Sequence, residues 1–431
     1  MKALSNSIWM MLEKVLKLGL ALIVTAQIAR YLGPTSYGVF SLSLTILAIL
    51  TVISLSGLNR ITVREVVESI STEDTREILT TVFYIRLIIS FLLYLIFSSA
   101  LFVYGYEYWL GYSLVFLSII FTPFNSVDLY FQSVNKLKVV SFYRSASSVV
   151  SSLIKLILVY YQADIFYLFL AVFIEYLLVA LFLFLCVKKE MNFFNPNSFS
   201  LKKAKCFLSE SWVEVIAGFG GILFMKLDIV MLQYLDSSES VGLYSAATRL
   251  SEAWYFIPAS IITVTFPAVI KAKKENDGVY KDKLLLLMTL ISFISLLSIA
   301  TLTFIAKDIV LFIFGESYLQ SASVLMVHCW VCLFIFLGST SGSYMAAEKL
   351  LKYNLYRNLI GLLINIIANC LLIPQYGGIG AAYATLIAVV FAFLLSDLLF
   401  HPIRFLFFLK IKSLIPIRLF RKAFEANFIK F

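Results

Sequence analysis

The chain has 431 residues, 61% of them hydrophobic and 14% charged, with a formal net charge of +10 and a mean hydropathy of +0.94. Soluble domains average roughly 45–50% apolar and about 25% charged residues. This composition excludes a water-soluble globular fold and makes lipid the solvent. The basic excess is then a matter of membrane topology, and no nucleic-acid partner is expected.

Apolar runs such as "GLALIVTAQIA" and "LIISFLLYLIFSSALFVY" approach, with their flanks, the roughly 20 helical residues that cross a hydrocarbon core of about 30 Å. In chain order they predict twelve spans, near 9–29, 38–58, 79–103, 109–131, 142–161, 166–187, 211–232, 243–266, 284–305, 323–344, 355–373 and 379–400. The first run has the position of a signal peptide. Glu13, Lys14 and Lys17 interrupt it, so it is expected to stay as a span. With both termini cytoplasmic, 29 of the 35 basic residues fall on the inside and only Arg30 and Lys307 in outside loops. That is the positive-inside bias.

Between spans six and seven lies "KKEMNFFNPNSFSLKKAKCF", polar, basic and turn-forming at Asn195-Pro196-Asn197. The predicted organisation is therefore an N-terminal six-helix lobe (1–187), a cytoplasmic basic linker (188–210), a C-terminal six-helix lobe (211–400) and a basic amphipathic cytoplasmic tail (401–431). The tail interleaves Phe and Ile with Lys and Arg, as in segments that lie on an anionic leaflet. In span seven, Gly218, Gly220 and Gly221 mark the expected point of bending.

Two turns occur twice. "YLGPTSYGVFS" from Tyr31 matches "YLDSSESVGLYS" from Tyr234 with one inserted residue, pairing Gly38 with Gly242. "NKLKVVSFYR" from Asn135 matches "EKLLKYNLYR" from Glu348 without a gap, pairing Lys136 with Lys349 and Arg144 with Arg357. Duplication of six spans keeps both copies in one orientation, a parallel repeat about the membrane normal with a site expected between the lobes. The fold class is all-α and polytopic, about twelve helices in two six-helix lobes.

"ARYLGPTSYGVFSL", "KLDIVMLQYLDSSESVGLYSAATRLSEAWYFIP" and "LLIPQYGGIGAAYATLIA" resemble the polysaccharide transporter family, the Wzx-type O-antigen flippases, from about residue 1 to 400. That family sits with the multidrug (MATE) exporters and the lipid II flippase in one superfamily. The resemblance implies a MATE-like fold in a bacterial inner membrane and a cavity lined mainly by spans one, two, seven and eight. It also implies a cargo of undecaprenyl-pyrophosphate-linked oligosaccharide, moved from the cytoplasmic to the periplasmic leaflet by alternating access. A proton or sodium counter-ion and a polysaccharide polymerase or chain-length machinery are the partners that would go with it.

Ionisable residues inside spans cost roughly 2.5–3.5 kcal/mol at mid-bilayer and so call for a function or a partner. Span seven carries Glu214, Lys226 and Asp228, and span eight carries Arg249 and Glu252. Spans three to six carry Arg86, Asp128, Lys155 and Glu175. By the repeat, Lys226, Asp228, Arg249 and Glu252 align with Ile23, Thr25, Thr45 and Ala48, so the charge belongs to one half only. The substrate-binding candidates are Arg249, Lys226, Asp228, Glu252, Arg30 and Arg86. Cations among them suit a pyrophosphate through charge-assisted hydrogen bonds. The ion-coupling candidates are Asp228, Glu214, Glu252 and Glu175. The alternative for each is a satisfied pair that holds helices together.

No metal site or cofactor is expected, and "CWVC" at Cys329–Cys332 reads as two membrane thiols. The competing functional readings are a cation-coupled multidrug antiporter and a polysaccharide polymerase or ligase. The last lacks a large outside loop, the longest being 306–322 with one lysine, and no catalysis is expected.

Overall fold

The computed structural model describes residues 2–134, 136–188, 195–273 and 276–415. Among them the backbone is helical almost throughout, without strands. In lipid every N–H and C=O must be bonded internally, and an α-helix achieves this within a single segment.

The chain forms two compact units, Met1–Lys226 and Leu227–Phe431. In the first, α1 runs Lys2–Ser54 with a break at Gly33 (φ 70°, ψ 171°). Glycine tolerates that φ, and Pro34 then starts the next helix with its φ already set. α2 (Asn59–Glu68) follows, then α3 (Thr72–Val103), capped by Ser71 Oγ accepting from Asp74 N at 3.1 Å. α4 (Trp109–Leu117) and α5 (Asn125–Ser133) are joined through a 3-10 segment, Ser118–Phe124. α6 (Leu137–Tyr160) and α7 (Ile165–Lys188) complete the set, with α8 (Leu201–Leu235) shared across the division.

The second unit holds α9 (Ser238–Glu252), α10 (Phe256–Lys273), α11 (Asp277–Phe304) and the short α12 (Ala306–Phe314). α13 (Ser321–Ala347) and α14 (Leu351–Val390) follow, then α15 (Ser396–Leu399) and α16 (Arg404–Ser413). α14 breaks at Gly377 (φ 54°, ψ −132°), where an added Cβ would sit 2.6 Å from Asp236 Oδ2. Strain and space both require glycine there.

Among the described residues, ten helical segments are long and apolar enough to cross a bilayer. Two of them, Leu16–Glu68 and Leu351–Leu399, have 53 and 49 residues, or about 75–80 Å at 1.5 Å per residue. Each is twice a bilayer core, and each contains one of the glycine breaks. Divided there, ten segments give the twelve spans expected. This is a multi-pass membrane protein. Its lipid-facing positions stay apolar, as on α3, where Ile88, Phe91, Leu92, Leu95 and Ile96 are exposed.

The compact units divide inside α8 and not in the 188–210 linker, for a visible reason. The start of α8 is fastened to unit 1: Ser200 N donates to Thr81 Oγ1 at 3.1 Å, and Lys203 pairs with Asp74 and, at 3.0 Å, with Glu77. Further along, a Cβ on Gly57 would meet Glu214 Cβ and Val215 N, both at 2.9 Å. Residues 201–210 are thus helix, while 189–194 lie outside the described residues.

The segment expected to lie flat as a tail starts as α16, with Leu406, Lys410 and Ser413 buried in unit 2. Lys410 Nζ reaches Asp397 Oδ2 at 2.6 Å, and Arg357 Nη1 lies 3.7 Å from Asp397 Oδ1. Two cations around one carboxylate hold this helix in place. Residues 416–431 fall outside the described residues.

α8 is helical through Gly218–Gly221, with no break at the expected hinge. A Cβ on Gly221 meets nothing within 4 Å, so Gly221→Ala is sterically free. It removes roughly 1 kcal/mol of helix-weakening. If bending here belongs to the cycle, transport slows while membrane levels hold; an unchanged rate in a complementation assay removes the hinge.

Candidate functional site

The charges of spans seven and eight fall on α8 and α9. Ser237 caps α9 by accepting from Ser240 N at 3.2 Å, with Glu239 in the first turn favoured by the helix dipole. That cap fixes where α9 starts and so which residues face inward. From Val241 to Ser251 every residue is buried except Arg249.

On the inward side, Asp228 is 3% exposed. Its Oδ2 accepts from the Tyr244 hydroxyl of α9 and lies 3.1 Å from Thr385 Oγ1 of α14. Thr385 Oγ1 is also 3.3 Å from Tyr244 Oη and 2.9 Å from the Ala381 carbonyl. A buried carboxylate would be costly unpaired; two hydroxyl donors lower that cost without cancelling its charge. Both hydroxyls can turn their oxygens toward a cation or take part in proton movement. The trio joins three helices of unit 2, so whatever binds Asp228 acts on their packing.

A second polar node adjoins it. Ser251 Oγ is 2.7 Å from His328 Nδ1, and the His328 ring stands edge-on to Tyr244, centroids 5.9 Å apart. His328 is 3% exposed. Tyr244, Thr385, Ser251 and His328 are site residues that sequence reasoning missed. One signal was available: Tyr244 takes the place of Phe40 in the repeated turn, as Asp228 takes that of Thr25. The hydroxyl and the carboxylate that it binds are both absent from the first copy.

On the outward side, Arg249 is exposed and makes no ion pair or side-chain hydrogen bond among the described residues. Glu252, three residues on, is half-buried and held by other contacts, so the two do not form the helix-face pair that their spacing permits. Lys226 is half-buried on α8 with contacts of its own.

The remaining candidates separate from this cluster. Glu175 of α7 pairs with Lys155 of α6 and accepts from Ser151 Oγ at 2.9 Å, a satisfied pair between neighbouring helices. Asp128 and Arg144 likewise join α5 to α6. Glu214 lies 3.5 Å from Arg60, which is 77% exposed. A pair so open to screening contributes little. Arg30 is exposed near the α1 break, with contacts of its own. Arg86 is fully buried in unit 1 and donates to Asn59 Oδ1 at 2.8 Å. No group of three or more His, Cys, Asp or Glu among the described residues could hold a metal ion.

The family model described as "Polysaccharide biosynthesis protein" matches residues 3–273, more than half of the chain. The chain belongs to this polysaccharide biosynthesis protein family. Two relatives of this family member come from Haloferax volcanii. The "Probable flippase AglR" is 26% identical over 275 residues, 61% of this chain and 55% of that protein. The "Probable low-salt glycan biosynthesis flippase Agl15" is 22% identical over 202 residues, 43% and 40% of the two chains. The chain thus spans about half the length, or less, of the curated relatives it matches.

Among solved structures, an inward-closed lipid II flippase MurJ superposes with a TM-score of 0.69 at 18% identity, covering 96% of this chain and 91% of that one. An inward-facing MATE multidrug transporter gives 0.72 at 14%, covering 90% and 95%. These likenesses show the fold, and the expected MATE-like class is the observed one.

Proposed function

We propose that this polysaccharide biosynthesis family protein is a flippase for lipid-linked oligosaccharides, carrying undecaprenyl-pyrophosphate-linked repeat units from the cytoplasmic to the outer leaflet by alternating access. It is a transporter and not an enzyme. Arg249 carries the reading: it is a permanent cation, exposed on a helix whose neighbouring residues are buried, without a partner among the described residues to neutralise it. A cation in that position keeps its donors for an anionic ligand, and guanidinium matches phosphate oxygens in charge and geometry. The names of the Haloferax relatives and the family membership support the same cargo class.

In this proposal Asp228, with Tyr244 and Thr385, binds the coupling ion, a proton or sodium. Binding there changes the packing of α8, α9 and α14 and so favours one conformation over the other. The surface polysaccharide served, O-antigen or another, follows from the oligosaccharide supplied by earlier steps, and polymerase or chain-length machinery would act on the product.

The deciding experiment is reconstitution. Purified protein in proteoliposomes should move a fluorescent polyprenyl-pyrophosphate oligosaccharide across the bilayer in the presence of an ion gradient, and should not move a cationic dye. Dye transport without lipid transport would make it a multidrug-type antiporter.

The proposed orientation puts both termini and the linker in the cytoplasm of a bacterial inner membrane. Reporters at Asn197 should read cytoplasmic and those after Gly105, in the open turn between α3 and α4, should read outside. The reverse pattern overturns the orientation.

A further inference from the structure

We propose that Arg86 holds a dehydrated monovalent anion, a halide, inside unit 1. Its side chain is 0% exposed. Of its three nitrogens only Nη2 has a partner among the described residues, Asn59 Oδ1 at 2.8 Å. Nε and Nη1 are buried without any. No carboxylate forms an ion pair with it among the described residues, in contrast to Arg144, Arg357 and Lys155.

Guanidinium does not give up its proton in proteins, so deprotonation offers no escape from this burial. A buried donor left without an acceptor is destabilising, and an uncompensated buried charge more so. An internal water answers a donor but leaves the charge uncompensated. An anion on the guanidinium rim answers both, and one water can serve the donor left over.

The core that α2, α3 and α5 build here is apolar, with Leu58, Leu79, Val82, Phe83 and Val127 buried in it, so the guanidinium sits in a low-dielectric interior. One turn further along α3, Ser90 Oγ donates to the Arg86 carbonyl at 2.7 Å. Ser54 of α1 lies 2.6 Å from Ser90 and 2.6 Å from Thr122 of the 3-10 segment. Ser54 and Ser90 are 0% exposed and Thr122 3%. These hydroxyls meet the arginine at its backbone carbonyl, and none of them is bonded to its guanidinium or brings a negative charge. A side chain so enclosed is closed to a pyrophosphate lipid, which would need an open cavity, whereas a single-atom anion needs about the volume of one water. Arg86 is thereby assigned to folding of unit 1 and not to cargo, which goes beyond the flippase reading and does not depend on it.

The test uses the full-length protein in lipid nanodiscs. At constant ionic strength, replacing gluconate by chloride or bromide should raise the thermal midpoint saturably by several degrees, since a ligand bound only by the folded state stabilises by mass action. In Arg86→Met the midpoint should be the same in both salts. Equal midpoints for the wild-type protein in gluconate and chloride overturn the proposal, as does a chloride effect that persists in Arg86→Met. If Arg86→Met fails to accumulate, bromide anomalous diffraction from the wild-type protein decides instead. A peak within hydrogen-bond reach of Arg86 Nε or Nη1 supports the site, and its absence at saturating bromide rejects it.

Discussion

Asp228→Asn should abolish transport while the protein accumulates in the membrane at near wild-type level. The substitution is nearly isosteric, and the Asn oxygen can still accept from Tyr244 and Thr385, whose hydroxyls both point at Asp228 Oδ2. Only the charge is removed, along with the capacity to bind a proton or a cation. If Asp228 served as a packing acceptor between α8, α9 and α14, Asn would do nearly as well. A coupling site without its charge loses the energy that drives the cycle, and the fall should exceed ~100-fold, equivalent to about 2.7 kcal/mol in the rate-limiting barrier. Tyr244→Phe removes one donor and leaves the carboxylate, so an intermediate loss is expected. A second readout separates binding from turnover: sodium or proton concentration should shift the thermal midpoint of the wild-type protein and leave Asp228→Asn unmoved. Full transport by Asp228→Asn would sink the coupling role.

The spans and their number were legible because a bilayer requires long apolar runs, and the breaks at Gly33 and Gly377 fall in turns that the hydropathy pattern already separated. The partners of the intramembrane charges were not. In a soluble protein the polar face of a helix tells which side points inward. In a membrane both the lipid-facing and the buried faces are apolar, so periodicity does not fix the rotation of a helix. Glu175 therefore looked as free to couple ions as Asp228, although α6 brings Lys155 and Ser151 to it. Arg86 looked available to a cargo although it is enclosed. Tyr244 and Thr385 were hidden for a different reason: in "VGLYSAA" and "AAYATLI" they read as ordinary span residues. Only the carboxylate that they share gives them a role. The burial of α16 was missed because a Lys-rich sequence reads as surface, and Asp397 lies far enough upstream to conceal the pairing with Lys410.

Arg249→Ala should abolish transport without lowering the amount of protein. Arg249 is exposed on α9 between buried neighbours and has no partner among the described residues, so truncation removes little packing and leaves no carboxylate uncompensated. The duplicated half has Thr45 in its place, so the fold as such does not demand a cation there. In the proposed flippase that cation serves the cargo. Arg249→Lys keeps the charge but loses the planar fork, and transport should be impaired partially if phosphate oxygens are bound in two-pronged fashion. The opposing account makes Arg249 the partner of Glu252 in another conformation of the cycle. Under that account Arg249→Ala strands Glu252, protein abundance drops, and removing both charges restores function. Under the cargo account Arg249→Ala with Glu252→Ala stays as inactive as Arg249→Ala alone, because the anion still lacks its cation. Translocation of the fluorescent pyrophosphate lipid by the double variant, normalised to protein in the membrane, is the measurement. Recovery to the wild-type rate refutes cargo binding at Arg249, and continued inactivity at normal abundance establishes it.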